Sequence, residues 1–442
     1  MKTILILAYE CAPFNKPAST IGAQRPYNFA KYLPNFGYQV IVLTCDFNKR
    51  NQLRKFRFGD VEGALLNFDK DLNTKGYTIL PLPSLRYAGL LDFLWKKLNN
   101  SKYEVYSIHK NSLIKVISKL ITFFKLKYGD YSQSWQRVAY GTAKHIFEFY
   151  SVDLVIAEHG PDASLHVARK IYKNFKIPWI ADFRDPVLQP YSGLAHWRYK
   201  SVINKLLKTC SATINVTEPW ARLDKALFNL PAYTITNGFD EEDYEGLNKN
   251  SSNHSDSITI GYMGGIKKNQ DIELWFKALS GLKKININKS INFLYVGPGF
   301  KRIEELALKY HVNDIVEINS TLERNEAFKL INQCHYLLLY TVAPYLTKDH
   351  YFKSGFYPGK LFEYIGFEKP ILAIPGDNGI ADELILKNNF GAVLKNVNEI
   401  TDFLTRITNN PRNKHRSDNY DKFSRRETAK SLSNLIDKII CE

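Results

Sequence analysis

The chain has 442 residues, a formal charge of +16 and 45% hydrophobic side chains, a length beyond what one hydrophobic core ordinarily supports, so two domains are expected. The five cysteines (Cys11, Cys45, Cys210, Cys334, Cys441) include no C-x-x-C pair, which argues against zinc, iron-sulfur or a disulfide framework. The charge favours a polyanion, yet no RNP1-like run, Cys-His finger or arginine block accompanies it, no apolar run reaches 18 residues, and the N-terminus turns polar too soon for a signal peptide; a cytoplasmic protein that binds no nucleic acid is expected.

Residues 3–8 form a continuous apolar run, as in a parallel strand buried on both faces. A loop with Pro13, Pro17 and Gly22 follows, then a helical pattern from Arg25 with Phe29 and Leu33 on one face and Pro26 at its first position. Val40 to Leu43 supplies a second strand, completing a βαβ start whose ligand belongs at the carboxyl end of the first strand. G-x-G-x-x-G is absent. Gly22 and the amides after Ser19 suit a phosphate or a sugar, or form a plain turn.

Further strands are predicted at 153–158, 178–182 and 212–216, with a helix from Asp162 to Tyr172. Their polar ends make Glu158, His159, Asp182, Arg184 and Asp185 candidates for a ligand crevice. Asp182-Phe-Arg-Asp-Pro is the densest of these, and an arginine between two carboxylates also fits a structural ion pair.

Between Leu85 and Lys127 the α/β rhythm breaks, with nine Lys or Arg against two acids, Asp92 and Glu104, and interleaved aromatics such as Trp95, Tyr103 and Phe124. Leu113, Ile117, Leu120, Ile121 and Phe124 share one helical face, and Lys115 and Lys119 lie opposite. Such a helix lies in an anionic membrane interface or packs on its own domain with solvated lysines.

The turn and acidic cluster at Thr236 to Glu245, then the polar stretch 248–257, mark a domain boundary. A second βαβ series follows, with strands at 258–262, 291–296, 336–340 and 370–373 and helices from Gln270, Lys301 and Lys360. Gly264-Gly-Ile-Lys-Lys, with Gly265, Lys267 and Lys268, gives glycines for close backbone approach and cations for an anion; Gly297-Pro-Gly-Phe-Lys ends the next strand in similar style. Lys360 and Glu363 are three apart, so they share a helical face, and Gly359 lets the helix N-terminus approach a ligand. A cation, free amides and a carboxylate suit a diphosphate joined to a ribose, and the same residues also read as a surface Lys-Glu pair.

Six segments carry a resemblance: 22–33, Trp179-Ile-Ala-Asp-Phe-Arg-Asp-Pro, Thr236-Asn-Gly-Phe-Asp, 264–271, Tyr295-Val-Gly-Pro-Gly and Lys360-Leu-Phe-Glu-Tyr. In this order and spacing the chain resembles the retaining glycosyltransferases of the GT-B fold, family 4, in the branch where one segment reads D-x-R-D. The resemblance implies an α/β fold of two Rossmann-like, doubly wound domains facing across a cleft. Residues 1–240 would form the acceptor domain, with the basic aromatic insertion at 85–135, and 241–257 a linker. Residues 258–415 would hold the nucleotide sugar, and 416–442 a last helix packing back on the N-terminal domain.

Glu363 matches the second glutamate of the family's E-x(7)-E motif, which accepts hydrogen bonds from ribose hydroxyls; the first falls on Gly355. Lys268 matches the basic residue facing the diphosphate, and Arg184 and Asp185 replace a histidine that many members carry. The resemblance thus implies Arg184, Asp185 and Lys268 as catalytic residues and Gly22, Gly264, Gly265, Lys267, Lys268, Gly297, Gly359, Lys360 and Glu363 as donor-binding. Arg25, His159 and Asp182 would stand on the acceptor side. It further implies transfer from a nucleotide-diphosphate sugar to a glycan or lipid-linked acceptor in surface polysaccharide synthesis, on the cytoplasmic face of a membrane, with no cofactor and no metal required. A nucleotide-sugar epimerase of the same fold and a non-catalytic binder of sugar nucleotides or polyanions are the rival readings.

Overall fold

The computed structural model describes residues 1–14, 21–47, 70–84, 132–188, 193–247, 257–267, 270–285, 287–343, 355–410, 417 and 419–441. Residues 85–131 of the expected insertion lie outside the described residues, as does Lys268. The chain divides into two compact units, Met1–Thr236 with Thr428–Glu442, and Asn237–Glu427.

The first unit is built on seven strands: β1 (Lys2–Leu7), β2 (Tyr38–Cys45), β3 (Tyr77–Leu82), β4 (Leu154–His159), β5 (Trp179–Phe183), β6 (Ala212–Asn215) and β7 (Ala232–Thr234), in the order β3-β2-β1-β4-β5-β6-β7 with every pairing parallel. The order reverses between β1 and β4, which places the switch point beside the end of the first strand. β1 lies between two strands and is covered on both faces. Leu5 and Leu7 enter one core layer with Trp135 and Trp179, while Ile4 and Ile6 enter the other.

That second layer is completed by the C-terminal helix Arg425–Cys441, whose Ala429, Leu432, Leu435 and Ile436 pack with Ile4, Ile6 and Phe29. Tyr38 donates to Asp437 Oδ1 at 2.6 Å, and Lys2 Nζ lies 3.1 Å from the same oxygen. The first helix runs from Ile21 to Tyr32, four residues earlier than its sequence start at Arg25. Pro26 therefore stands in the second turn, where its missing N–H forfeits only a bond to the Gly22 carbonyl.

The second unit carries β8 (Ser257–Met263), β9 (Ser290–Val296), β10 (Val316–Asn319), β11 (Tyr336–Tyr340), β12 (Ile371–Ile374) and β13 (Gly391–Val393), ordered β10-β9-β8-β11-β12-β13 and again parallel throughout. Its switch point lies between β8 and β11. Residues 237–247, which include the sequence boundary region, fold with this unit: Phe239 N donates to Phe423 O at 3.0 Å, and Arg425 N donates to Phe239 O at 2.7 Å. Gly238 permits that approach, because a Cβ there would stand 2.5 Å from the Phe423 carbonyl oxygen.

Leu432 is fully buried against β1, so Leu432→Ala is expected to destabilise the first unit by about 2–5 kcal/mol through lost burial and the cavity left behind. Urea unfolding followed by tryptophan fluorescence checks it: an unchanged midpoint means the helix is not a working part of that core.

Candidate functional site

In the second unit the polar candidates gather at the carboxyl end of the sheet. The helix Gly359–Gly366 begins after Pro358 with no side-chain cap, and Lys360 lies in its first turn. Lys360 Nζ donates to Tyr262 Oη at 2.6 Å and to the Gly265 carbonyl at 3.0 Å, and stands 4.4 Å from the centre of the Tyr262 ring. Tyr262, at the end of β8, is itself fixed by donating to Gly265 O at 2.9 Å and by stacking on Tyr295 at 5.5 Å. Burial pushes the Lys360 ammonium down to about 8; the Glu363 carboxylate pulls it up and Lys267 pushes it further down. An ammonium has three donors, and the two bonds above leave one uncommitted among the described residues.

The glycines of this region are steric requirements. Gly264 has φ +104, and a Cβ on it would lie 2.6 Å from Lys360 Cε. A Cβ on Gly297 would lie 2.7 Å from the Gly264 carbonyl oxygen, while Gly264 N donates to Val296 O. Gly265 has Pro298 Cγ at 3.3 Å from its would-be Cβ. The ends of β8 and β9 thus touch through backbone, and Lys360 lies across them. Lys267 is exposed, with its N–H bonded to Gln270 Oε1 at 2.8 Å; Gln270 in turn reaches the Tyr340 carbonyl at the end of β11.

Glu363 does not pair with Lys360. Its Oε1 accepts from Arg324 Nη1 at 2.8 Å, and Arg324 Nη2 lies 2.8 Å from Asp243 Oδ2. The Glu363 carbonyl accepts from Tyr244 Oη at 2.7 Å. Arg324, Asp243, Tyr244 and Tyr262 were not among the sequence candidates, because Arg324, Tyr244 and Tyr262 reach the helix from 39 to 119 residues away along the chain, Asp243 reaches it only through Arg324, and no local spacing signals such contacts.

In the first unit, Arg25 and Asp182 form a buried bidentate pair at the end of β5: Nε donates to Oδ2 at 2.8 Å and Nη2 to Oδ1 at 3.0 Å, while Nη1 donates to the Thr236 carbonyl. Both side chains are out of reach of solvent, 0% and 2% exposed, so they brace the strand end. Arg184, the next residue after β5, places Nε 2.8 Å from Glu158 Oε1, an ion pair whose angle falls short of a hydrogen bond. Its guanidinium fills a notch between two glycines: a Cβ on Gly22 would lie 1.6 Å from Nη1, and one on Gly160, at φ +124, 2.8 Å from Nη2. Gly22 is therefore backbone beneath Arg184.

Burial pushes the Glu158 carboxyl up to about 8, with Arg184 opposing the shift and Asp182 and Glu10 adding to it. His159 Nε2 lies 2.8 Å from Asp162 Oδ1 and 3.2 Å from Tyr199 Oη, with its ring edge-on to Phe183. Burial would raise the Asp162 carboxyl, but the bonds to His159 and Tyr199 hold it below the usual carboxylate range. Asp185 is exposed beside this group. Arg184, Asp185 and His159 thus lie at the carboxyl ends of the paired strands β4 and β5, as do Arg25 and Asp182.

Asp182→Ala leaves the Arg25 guanidinium buried without its carboxylate, at an expected cost of about 3–5 kcal/mol. Chemical denaturation measures it, and a loss below about 1 kcal/mol would show that water reaches Arg25 freely.

No family model and no curated protein sequence matches the chain. Solved structures do. HepE from Anabaena, in complex with UDP and glucose, aligns over 99% of this chain and 100% of its own at TM-score 0.56 and 12% identity. The lipopolysaccharide outer core galactosyltransferase WaaB aligns over 99% of both chains at 0.55 and 12%, and sucrose-phosphate synthase from Thermosynechococcus elongatus over 100% of both at 0.54 and 14%. At these identities the likeness is one of fold: two parallel, doubly wound α/β units of the GT-B glycosyltransferase type.

Proposed function

We propose that the protein is a retaining glycosyltransferase of the family 4, D-x-R-D kind, which moves a sugar from a nucleotide-diphosphate sugar to a glycan or lipid-linked acceptor in surface polysaccharide synthesis. The observation that carries this reading is Lys360, part-buried across the touching glycine loops at the second unit's switch point, where a bound diphosphate would restore the full charge that burial opposes. Structures of similar fold solved with UDP, or with UDP and glucose, support it.

On this reading the leaving diphosphate meets Lys360, Lys267 and the first amides of Gly359–Gly366, with Lys268 next to Lys267 in the sequence. The reaction's charge develops on the diphosphate oxygens as the glycosidic bond breaks, and cations fixed in advance stabilise it without reorganising. A leaving-group oxygen takes the acceptor hydroxyl's proton on the face from which it departs, so configuration is retained with no carboxylate nucleophile. Lysines supply the field, and the reading carries no divalent ion. Arg184, Asp185 and His159 position the acceptor, and Arg25 and Asp182 hold the strand end beneath them.

The finer reading also places the protein at the inner face of a membrane. Among the described residues no helix is long and apolar enough to cross one. The helix Gly193–Leu207 has Leu194 69% and Trp197 66% exposed, and residues 186–217 contain no Asp or Glu while carrying Arg198, Lys200, Lys205 and Lys208. Exposed apolar side chains on a helix that also carries Arg198, Lys200 and Lys205 suit anionic lipid.

Three measurements test these readings. Wild-type protein is expected to show a raised thermal midpoint with at least one nucleoside diphosphate, and Glu363→Ala to lose about 1.5–3 kcal/mol of that binding; no shift with any nucleotide sinks the donor assignment. Lys360 is protonated in the unliganded protein below pH 8 and needs to take up a proton on binding above it, so the dissociation constant rises with pH through about 8, by up to about tenfold per unit. A pH-independent affinity would place the anion elsewhere. Leu194→Ser with Trp197→Ser is expected to weaken co-sedimentation with phosphatidylglycerol vesicles about tenfold, and unaltered partitioning removes this helix from the membrane reading.

A further inference from the structure

We infer that Arg324 is the positioning residue that sets Glu363 for a ribose diol, and that Asp243 holds Arg324 for that task; the inference rests on the donor reading above. Arg324 is the first residue of the helix Arg324–Asn332, where the helix dipole disfavours a cation. It is kept there by two carboxylates, one on each arm of the guanidinium fork, and by the Phe328 ring 4.4 Å from its Cζ. The pair is graded in exposure: the Glu363 side chain is 18% exposed, Arg324 50% and Asp243 36%, so the carboxylate nearest the site is the most shielded.

The backbone under Glu363 is fixed from the same side. Tyr244 Oη donates to the Glu363 carbonyl, and its ring rests on Gly366, where a Cβ would stand 2.4 Å from Tyr244 Cζ. With Oε1 bonded to Arg324, the carboxylate's rotamer is set, and Oε2 has no partner among the described residues. Lys360 lies three residues earlier on the same helix face, about 5–6 Å away at the Cβ atoms, a separation that matches a diphosphate to its ribose. Adjacent ribose hydroxyls present two donors to one carboxylate, and a 2′-deoxyribose presents one. Arg324 therefore governs sugar discrimination within the nucleotide, and the 241–244 segment governs Arg324.

The experiment is isothermal titration of UDP, GDP and ADP, each with its 2′-deoxy counterpart, and of inorganic pyrophosphate, into wild type, Arg324→Gln, Arg324→Lys and Asp243→Asn. Wild type is expected to bind one ribonucleoside diphosphate about tenfold more tightly than its deoxy form. Arg324→Gln narrows that ratio to about twofold with pyrophosphate affinity and ligand-free thermal midpoint unchanged. Arg324→Lys, which reaches one carboxylate and not both, and Asp243→Asn fall between. A wild-type ratio retained in Arg324→Gln overturns the role of Arg324 and leaves the donor reading standing. Parallel loss of pyrophosphate and nucleotide binding overturns it as well, because the arginine is then a general support of the site. A wild type that binds pyrophosphate but shows no ribose preference overturns the diol assignment, and one that binds none of the probes overturns the donor reading itself, and the inference with it.

Discussion

A lysine held partly out of water at the end of a parallel sheet is the constraint around which the second unit is arranged. Removing an ammonium from water is costly unless its protons find acceptors, and Lys360 finds the Tyr262 hydroxyl, the Gly265 carbonyl and the face of the Tyr262 ring. Those acceptors lie close enough only because Gly264 has no side chain, and the loop carrying Gly264 can sit on the end of β9 only because Gly297 has none either. One charge thus fixes the residue type at two loops and the register of a tyrosine. The compensation is incomplete, and burial still lowers the ammonium's proton affinity.

The first unit solves its charge problem differently. Arg25 and Asp182 are fully satisfied by each other and by a backbone carbonyl, which makes them a clamp between the first helix and β5. A buried pair of this kind gives little net stability over an apolar pair, yet is costly to break, so its effect is to fix where the strand ends. Arg184 and Glu158, one strand width away, are paired less completely: the guanidinium lies within ion-pair distance but misaligned, and the carboxyl has its proton affinity raised by burial. A clamp with no freedom thus lies beneath a pair with some, at the same end of the sheet.

Which parts of this were legible in the sequence follows from burial. Strands covered on both faces, such as β1, β4, β9 and β11, are continuous apolar runs and were located within a residue or two. The four strands that reading missed, β3, β7, β10 and β13, are the outer strands of the two sheets. They are short or half-exposed, so the tertiary setting, not composition, makes them strands. The first helix starts earlier than Pro26 suggested, because a proline one turn inside a helix forfeits a single bond, which the start of the helix tolerates. At the sites the same division holds. Lys360 and Glu363 were visible as neighbours three apart, but their partners, Tyr262 and Arg324, come from other strands and helices, so the hydrogen bonds that hold each side chain had no signature along the chain.

Gly22 shows what spacing along the chain does not reveal about a glycine. In sequence it reads as room for a phosphate; in the fold the room is taken by the Arg184 guanidinium, at a distance no side chain on residue 22 would permit. The N-terminus of Ile21–Tyr32 therefore carries a cation against its own positive end, a placement that only the Glu158 carboxylate and the other nearby acids offset. In the second unit the helix start at Gly359 has no side-chain cap, and in the first the helix start is met by a protein charge. Two units with the same doubly wound plan thus differ at the corresponding feature, the helix N-terminus beside the sheet edge, and the difference is set by whether an arginine or a lysine reaches it: Arg184 arrives in a two-glycine notch beside its own carboxylate, while Lys360 arrives with neutral oxygens.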